Sequence, residues 1–532
     1  MKKFTVLLLI AAIVCGLFAG CGKKADEDAY VPTGNALVME GEEPDDFLEE
    51  EEVRQELTLA YFPDRSMNPL IGVNISNRLV MSLLYQGLFA TNSKDVTYPI
   101  LCSSWRVTPN NMNYTVYLDE RATFSDGTPV TAEDVVATYA AAKEEGYYAG
   151  RFTHIVNVEA TDDGGVLFQT DTPYQNLPLL LDIPILKASE VAADNPLGSG
   201  PYIFSEGLGG VHLRKDMDWW CQKTLTVFAD SITLVEAADQ GQIRDEFQFG
   251  DVGLATANPM SDSFEEYRCD YELWDVETGV FLYLGVNVTF SDYFNKEDKT
   301  LRKALTYAID RQKLIEDNYH GLAHAATLAV SPASPYYNEN MAAKYHYDPM
   351  KFIELLSGWA PLKDKDTMEV KKLVLLVNSD DSARLRTARD ISATLNELGV
   401  PCGTLEYGNS TNPTYEVVLR ANNWDLVLGQ TKLPPNYDLS EFFRPWGELN
   451  WGGITNNTLY SQCLLSLDNS GNYYNLLKDV QETSSIIPIL FGYNTVYAER
   501  GLFDNLTPAR DNIFFYTLGK TMDGTQLETI YN

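Results

Sequence analysis

The sequence predicts an α/β protein built from at least two lobes, and three observations predict it. After an acidic N-terminal stretch, roughly 480 of the 532 residues have ordinary apolar content, more than the roughly 50–250 residues of one usual domain. The first half reads as short strand-like runs divided by turn residues, and beyond the strand-like Tyr283 to Asn287 the pattern changes to mixed α/β. Leu373 to Val377 then reads as a buried strand, Ser382 to Leu398 as an amphipathic helix closed by Gly399, and Trp424 to Leu428 as another strand. That β-α-β order packs as a parallel sheet layered with helices.

The N-terminus runs Met1-Lys2-Lys3, an apolar stretch from Phe4 to Phe18, then Ala19-Gly20-Cys21, the charged, apolar and small-residue order of a secretory signal. A cysteine directly after the small residues resembles a bacterial lipoprotein signal. Residues 1–20 are then removed, Cys15 with them, and Cys21 becomes the lipid-bearing first residue. Phe18 stands where leucine is more usual in that pattern. The alternatives are an ordinary signal peptide or an N-terminal membrane helix, for which the run is short of the roughly 20 apolar residues a span needs. Residues 21–56 have little apolar periodicity and a strong acidic bias, ending in Glu49-Glu50-Glu51-Glu52. They read as a solvated tether, the alternative being an acidic segment that recruits a partner or metal ion.

A net charge of -35 and a pI near 4.4 argue against nucleic acid, whose phosphates would be repelled, and leave neutral or cationic solutes open. Cys102, Cys221, Cys269, Cys402 and Cys463 are scattered without paired spacing, which rules against a zinc knuckle. Their odd number leaves at least one thiol unpaired and the pairing of the others open.

Along the chain, Glu56 to Ala60 alternates like a strand and leads into the turn Met67-Asn68-Pro69-Leu70. A helix from about Ser76 ends near Leu84. Strand-like runs Tyr114 to Leu118 and Val166 to Gln169 flank the segment from Phe124 to Tyr139. There Asp126-Gly127 is a turn dipeptide, Pro129 blocks early helix entry, and Thr131 with Asp134 forms a capping pair for a helix from about Ala132 to Gly146. Leu301, Ala304, Leu305, Ala308 and Ile309 recur at helical spacing.

Several of these segments resemble one family. Phe124 to Val135 is similar to the F-x-D-G-x-P-h-T-A-x-D-V segment of the peptide- and nickel-type solute-binding proteins of ABC importers, solute-binding family five. Leu301 to Arg311 resembles that family's R-x-A-h-x-x-A-I-D-R helix, Leu84 to Leu88 its L-Y-x-G-L, and Pro196 to Tyr202 its G-T-G-P-Y turn. Trp219-Trp220 stands where the family has Tyr-Trp, and Phe249 to Val252 matches its G-x-h-D element except that Gly253 replaces the aspartate.

The resemblance implies a two-lobe, periplasmic-binding-protein-like (Venus flytrap) fold with mixed sheets, flanking helices and a two-crossing hinge. Lobe I is expected at 57–275 plus 487–532 and lobe II at 276–486. It further implies a monomeric, lipid-anchored extracytoplasmic receptor that encloses a peptide or peptide-like solute and delivers it to an ABC permease with separate ATPases. The alternatives are a sensing or signalling lipoprotein of the same fold, or a receptor for a metal chelate or saccharide.

No catalytic residue, cofactor or metal site is expected. Leu518-Gly519-Lys520-Thr521 ends like a phosphate loop, but Phe514 stands where its first glycine must be. Gly198-Ser199-Gly200 lacks the outer spacing of a nucleophile elbow. His320 and His324 are four apart, but flank Gly321 at a helix end with no third ligand nearby. His154, His212 and His346 read as isolated structural residues.

The candidate ligand-binding residues are Asn68, Gln430 and Asp438, with the neighbouring aromatics Trp424, Tyr437 and Trp446, which either line the pocket or belong to the core or lobe surface. Peptide-binding relatives have Gly-Trp after the lobe II strand and then an aspartate that pairs with the peptide α-ammonium. Here Gln430 replaces the tryptophan, and Leu433 or Pro435 stands near the acid position. Asp438 either serves as the ammonium partner in a shifted register or matches a later structural aspartate, which leaves the amine anchor missing; the second is the favoured reading.

Overall fold

The computed structural model describes residues 57–532 except 208–209, 223–224, 228, 295–298, 504–505, 515–518 and 522–532, with only the backbone of 225–227 and 519–521. The expected signal segment, Cys21 and the acidic tether lie outside the described residues. Among the described residues, no helix is long and apolar enough to cross a membrane.

One mixed sheet of eleven strands organises the chain. From one edge its order is Cys402–Tyr407, Leu373–Asn378, Leu426–Lys432, Glu272–Val286, Ile486–Ala498, Leu254–Ala257, Leu57–Tyr61, Ser231–Glu236, Gly210–Lys215 and Tyr202–Gly207, with Ala323–Ala325 also pairing on Ile486–Ala498. The Leu373–Asn378 strand is parallel to both its neighbours, as the β-α-β reading requires. A second, antiparallel sheet is built from Cys102–Val107, Asn113–Leu118, Val166–Thr170 and Ile155–Ala160.

The fold has two lobes, each around its own apolar core. The first core includes Leu59, Leu83, Tyr139, Phe168 and Ile185, and the second includes Leu305, Leu375, Phe442 and Leu477. The long strands Glu272–Val286 and Ile486–Ala498 serve both, because Val276 and Val496 pack in the first core while Phe281 and Phe491 pack in the second. Between Glu277 and Val280 the register of this strand pair shifts, and a bulge of this kind re-aims side chains. Gly279 sits in the bulge at φ 76°, where an added Cβ would lie 2.5 Å from the Leu433 carbonyl oxygen.

Local chemistry accounts for the element ends. The helix Ala132–Glu144 opens on Thr131, whose hydroxyl accepts from the Asp134 N–H while the Asp134 carboxylate accepts from the Thr131 N–H, the reciprocal box that the sequence predicts. Gly198 and Gly200 have ordinary φ, and their role is close approach: a Cβ on Gly198 would lie 1.9 Å from the Leu84 carbonyl oxygen.

The expected single helix through Leu301 to Arg311 is instead two, Thr300–Ala308 and Arg311–Asn318. The break occurs because the Asp310 side chain caps the second helix by accepting from the Lys313 N–H. Arg311 is buried beside the break and donates to the carbonyls of Thr306, Ile309, Ala326 and Pro488. Burial pushes its pKa down to about 10, and the carbonyls take the place of water.

The strand expected at Trp424 to Leu428 runs Leu426–Lys432. No disulfide joins any two of the described cysteines. Burial pushes the Cys102 thiol up to about 12 and the Cys402 thiol up to about 11.

Candidate functional site

A cavity of about 330 Å³ lies where the bulged strand pair meets both cores, lined among others by Arg78, Tyr147, Glu277, Lys432, Arg510 and Asp511. A second cavity of about 180 Å³ shares Glu277 and Arg510 with it and adds Asp95, Asp182, Asp275 and His324.

Each charged group is placed by a nearby structural device. The helix Ile75–Leu84, capped by Asn74, carries Arg78. That guanidinium donates to the Pro69 and Gly72 carbonyls at 3.1 and 3.0 Å and to the Tyr148 hydroxyl at 2.8 Å. It lies 3.7 Å from the Tyr147 ring centre. Tyr147, Tyr148 and Arg151 belong to the 3-10 segment Gly146–Phe152. Arg151 makes a two-pronged pair with Asp182, both contacts at 2.8 Å.

Asp511 sits in a left-handed turn at φ 59°. It lies 3.6 Å from Arg78 and 3.5 Å from Arg151, and accepts from the Tyr147 hydroxyl. Burial alone would raise its pKa, but Lys432, Arg78 and Arg151 outweigh burial and hold the carboxyl well below its usual range. Lys432 closes the strand Leu426–Lys432 with its ammonium 3.5 Å from the centre of the Tyr147 ring, a cation–π contact. Burial, with Arg151, Arg78 and Arg510 adding to it against the pull of Asp511, pushes its pKa down to about 7.

The sequence-derived residues are distributed differently. Asn68 is fully buried, donating to the Val191 and Ala193 carbonyls and accepting from the Leu70 N–H, so its polar atoms hold a turn. Trp424 is buried and donates its indole N–H to the Leu419 carbonyl at 3.0 Å. Gln430 is exposed and lines a separate cavity of about 380 Å³ with Arg384 and Trp451. Trp446 is 97% exposed and lines none of these cavities. Tyr437 is buried against Phe491 and accepts from Arg510 at 3.5 Å, so it touches a cavity residue but lines none of these cavities itself.

Asp438 is 8% exposed and its oxygens are occupied. One accepts from the Ser440 N–H at 2.9 Å and hydroxyl at 2.6 Å, and the other lies 3.2 Å from His154 Nε2, whose Nδ1 is 2.8 Å from Asp171. Asp438 and His154 therefore form a buried pair.

The two histidines at i,i+4 diverge. His324 pairs with Asp275 at 2.9 Å while His320 lies against Phe264. Among the described residues no group of three or more potential ligands could hold a metal ion.

Sequence reasoning missed Arg78, Tyr147, Arg510 and Asp511, which no motif marks, and passed over Lys432 within the segment it singled out. The available signal at Lys432 was a lysine ending an apolar strand.

The comparisons with known proteins agree with this architecture. The chain is 24% identical over 411 residues to the oligopeptide-binding protein AppA of Bacillus subtilis (strain 168), covering 71% of each chain. It is 28% identical over 306 residues to the glutathione-binding protein GsiB of Shigella dysenteriae serotype 1, covering 55% of this chain and 58% of that protein. The structure matches the ABC transporter substrate binding protein CtaP from Listeria monocytogenes with a TM-score of 0.65 at 20% identity, over 86% of this chain and 97% of that one.

Residues 96–452 match the family described as bacterial extracellular solute-binding proteins, family 5 Middle. The chain belongs to the family 5 bacterial extracellular solute-binding proteins and is a binding protein rather than an enzyme.

Proposed function

We propose that this chain is the lipid-anchored receptor of an ABC importer, capturing a peptide or peptide-like solute between its lobes and delivering it to a permease. The observation that carries the reading is the charged cavity of about 330 Å³, whose lining brings Arg78 and Tyr147 of the N-terminal segments against Lys432. Its size falls within the usual range for small-molecule sites. The oligopeptide- and glutathione-binding names of the two relatives support a peptide-like solute.

In this reading lobe I is 57–275 plus 487–532 and lobe II is 276–486. Solute binding biases the molecule towards a closed form that the permease recognises. A signal peptide of 1–20, a lipid on Cys21 and a tether to residue 56 would hold the receptor, as a monomer, at the outer membrane face.

One observation favours a second reading, a solute without a free α-amine. Asp438, the nearest acid to the expected ammonium position, is already paired with His154, so a metal chelate or other non-peptide solute is the principal rival.

Replacing Cys21→Ala tests the anchor. The variant is expected to move from the membrane fraction to the soluble extracytoplasmic fraction, and retention in the membrane would contradict a lipid at Cys21.

A further inference from the structure

Resting on that receptor reading, we infer that the cleft holds its solute by an anionic group, a carboxylate seated among Arg78, Lys432 and Arg510. The three cations come from a helix, a strand end and a turn far apart in sequence, and all line the same cavity.

Each of the two guanidinium groups keeps a nitrogen without a hydrogen-bond partner. The nearest carboxylate to Arg78 is Asp511 at 3.6 Å, and Arg78 Nε is buried without a hydrogen-bond partner. Arg510 reaches the Tyr437 hydroxyl at 3.5 Å, while its Nη1 is buried without a partner. The Lys432 ammonium rests on the Tyr147 ring.

The carboxylates on the cavity are Asp511 and Glu277. Asp511 is shared with Arg151. Glu277 is engaged by the N–H groups of Thr278 and Gly279 and by the Ser331 hydroxyl. Arg78 and Arg510, with Lys432 only partly charged near neutral pH, face these two acids, and one nitrogen of each guanidinium stays without a hydrogen-bond partner.

A carboxylate there would accept charge-assisted hydrogen bonds from the unpartnered guanidinium nitrogens. A cationic group could not accept from them, and a neutral carbonyl would accept only weaker bonds than a carboxylate makes. In a peptide solute the group is the C-terminal carboxylate or an acidic side chain.

The test is native mass spectrometry on protein stripped of small molecules and offered an equimolar set of tripeptides, each as free acid and as C-terminal amide, alongside spectra of the unstripped protein. The free acids are expected to outcompete the amides by about tenfold or more, the scale of hydrogen bonds to charged groups. Lys432→Met is expected to erase that preference, and the surface change Lys371→Met to preserve it. Arg78→Met replaces Lys432→Met if the latter melts far below wild type.

Amides bound as well as acids would overturn the inference and leave the receptor reading standing. If no tripeptide binds, the co-purified solute decides. An oxyanion-bearing compound lost in Lys432→Met upholds the inference, and a neutral or cationic one overturns it. No small molecule in either experiment would overturn the receptor reading, and the inference with it.

Discussion

Asp438 shows how a residue's chemistry is set by its neighbours. Its carboxylate is held below the ordinary value of 3.8: burial opposes the charge, but the His154 hydrogen bond and field, with Ser440, outweigh it. His154 is held above 6.5, burial again opposing while Asp438 and Asp171 prevail.

The signs define a pH window. The raised histidine stabilises fully below 6.5, and its contribution is lost as pH rises through its folded value. The lowered carboxylate stabilises fully above 3.8, and its contribution is lost as pH falls through its folded value. Because His154 keeps Asp171, Asp438→Asn is expected to lower unfolding free energy by about 1.5–3 kcal/mol near pH 5.5, the scale of a hydrogen bond to a charged group, and by less at pH 8.5. Urea titrations at the two pH values check this, and a pH-independent loss would refute the pairing. Nothing in the sequence joined His154 to Asp438, because the two are 284 positions apart and only the fold brings them together.

Elements were legible wherever a terminus carries its own chemistry. The Thr131–Asp134 box and the Gly399 stop were readable because each is satisfied within a few residues. Thr131→Ala is expected to cost about 1 kcal/mol by urea denaturation with solute binding unchanged, the usual scale for losing an N-cap. A loss below a few tenths of a kcal/mol would mean that the cap contributes little here.

The break at Asp310 was hidden because the apolar spacing runs continuously to Ile309, and the partners of Arg311 include carbonyls at Ala326 and Pro488. The strand Cys402–Tyr407 was unread for a related reason. It alternates weakly and is fixed by its parallel pairing with Leu373–Asn378.

For the whole molecule, the two-lobe class followed from length and from the change to β-α-β order, while the cavity did not. Its charged lining draws on Arg78, Lys432 and Arg510, and no sequence window contains them together. The six candidate residues do not converge there: Tyr437 touches Arg510 without lining the cavity, Asn68 and Trp424 hydrogen-bond within the fold, Gln430 lines a separate cavity, Asp438 pairs with His154, and Trp446 faces solvent.

Capture of a small solute by this molecule is open to a direct test by calorimetry. Purified protein is unfolded in guanidinium, the released small molecules are collected, and the refolded, stripped protein is titrated with that material. Saturable heat with one site per chain is expected, from a compound identifiable by mass spectrometry. Release of no compound, or of compounds that give no saturable heat with the refolded protein, would contradict it.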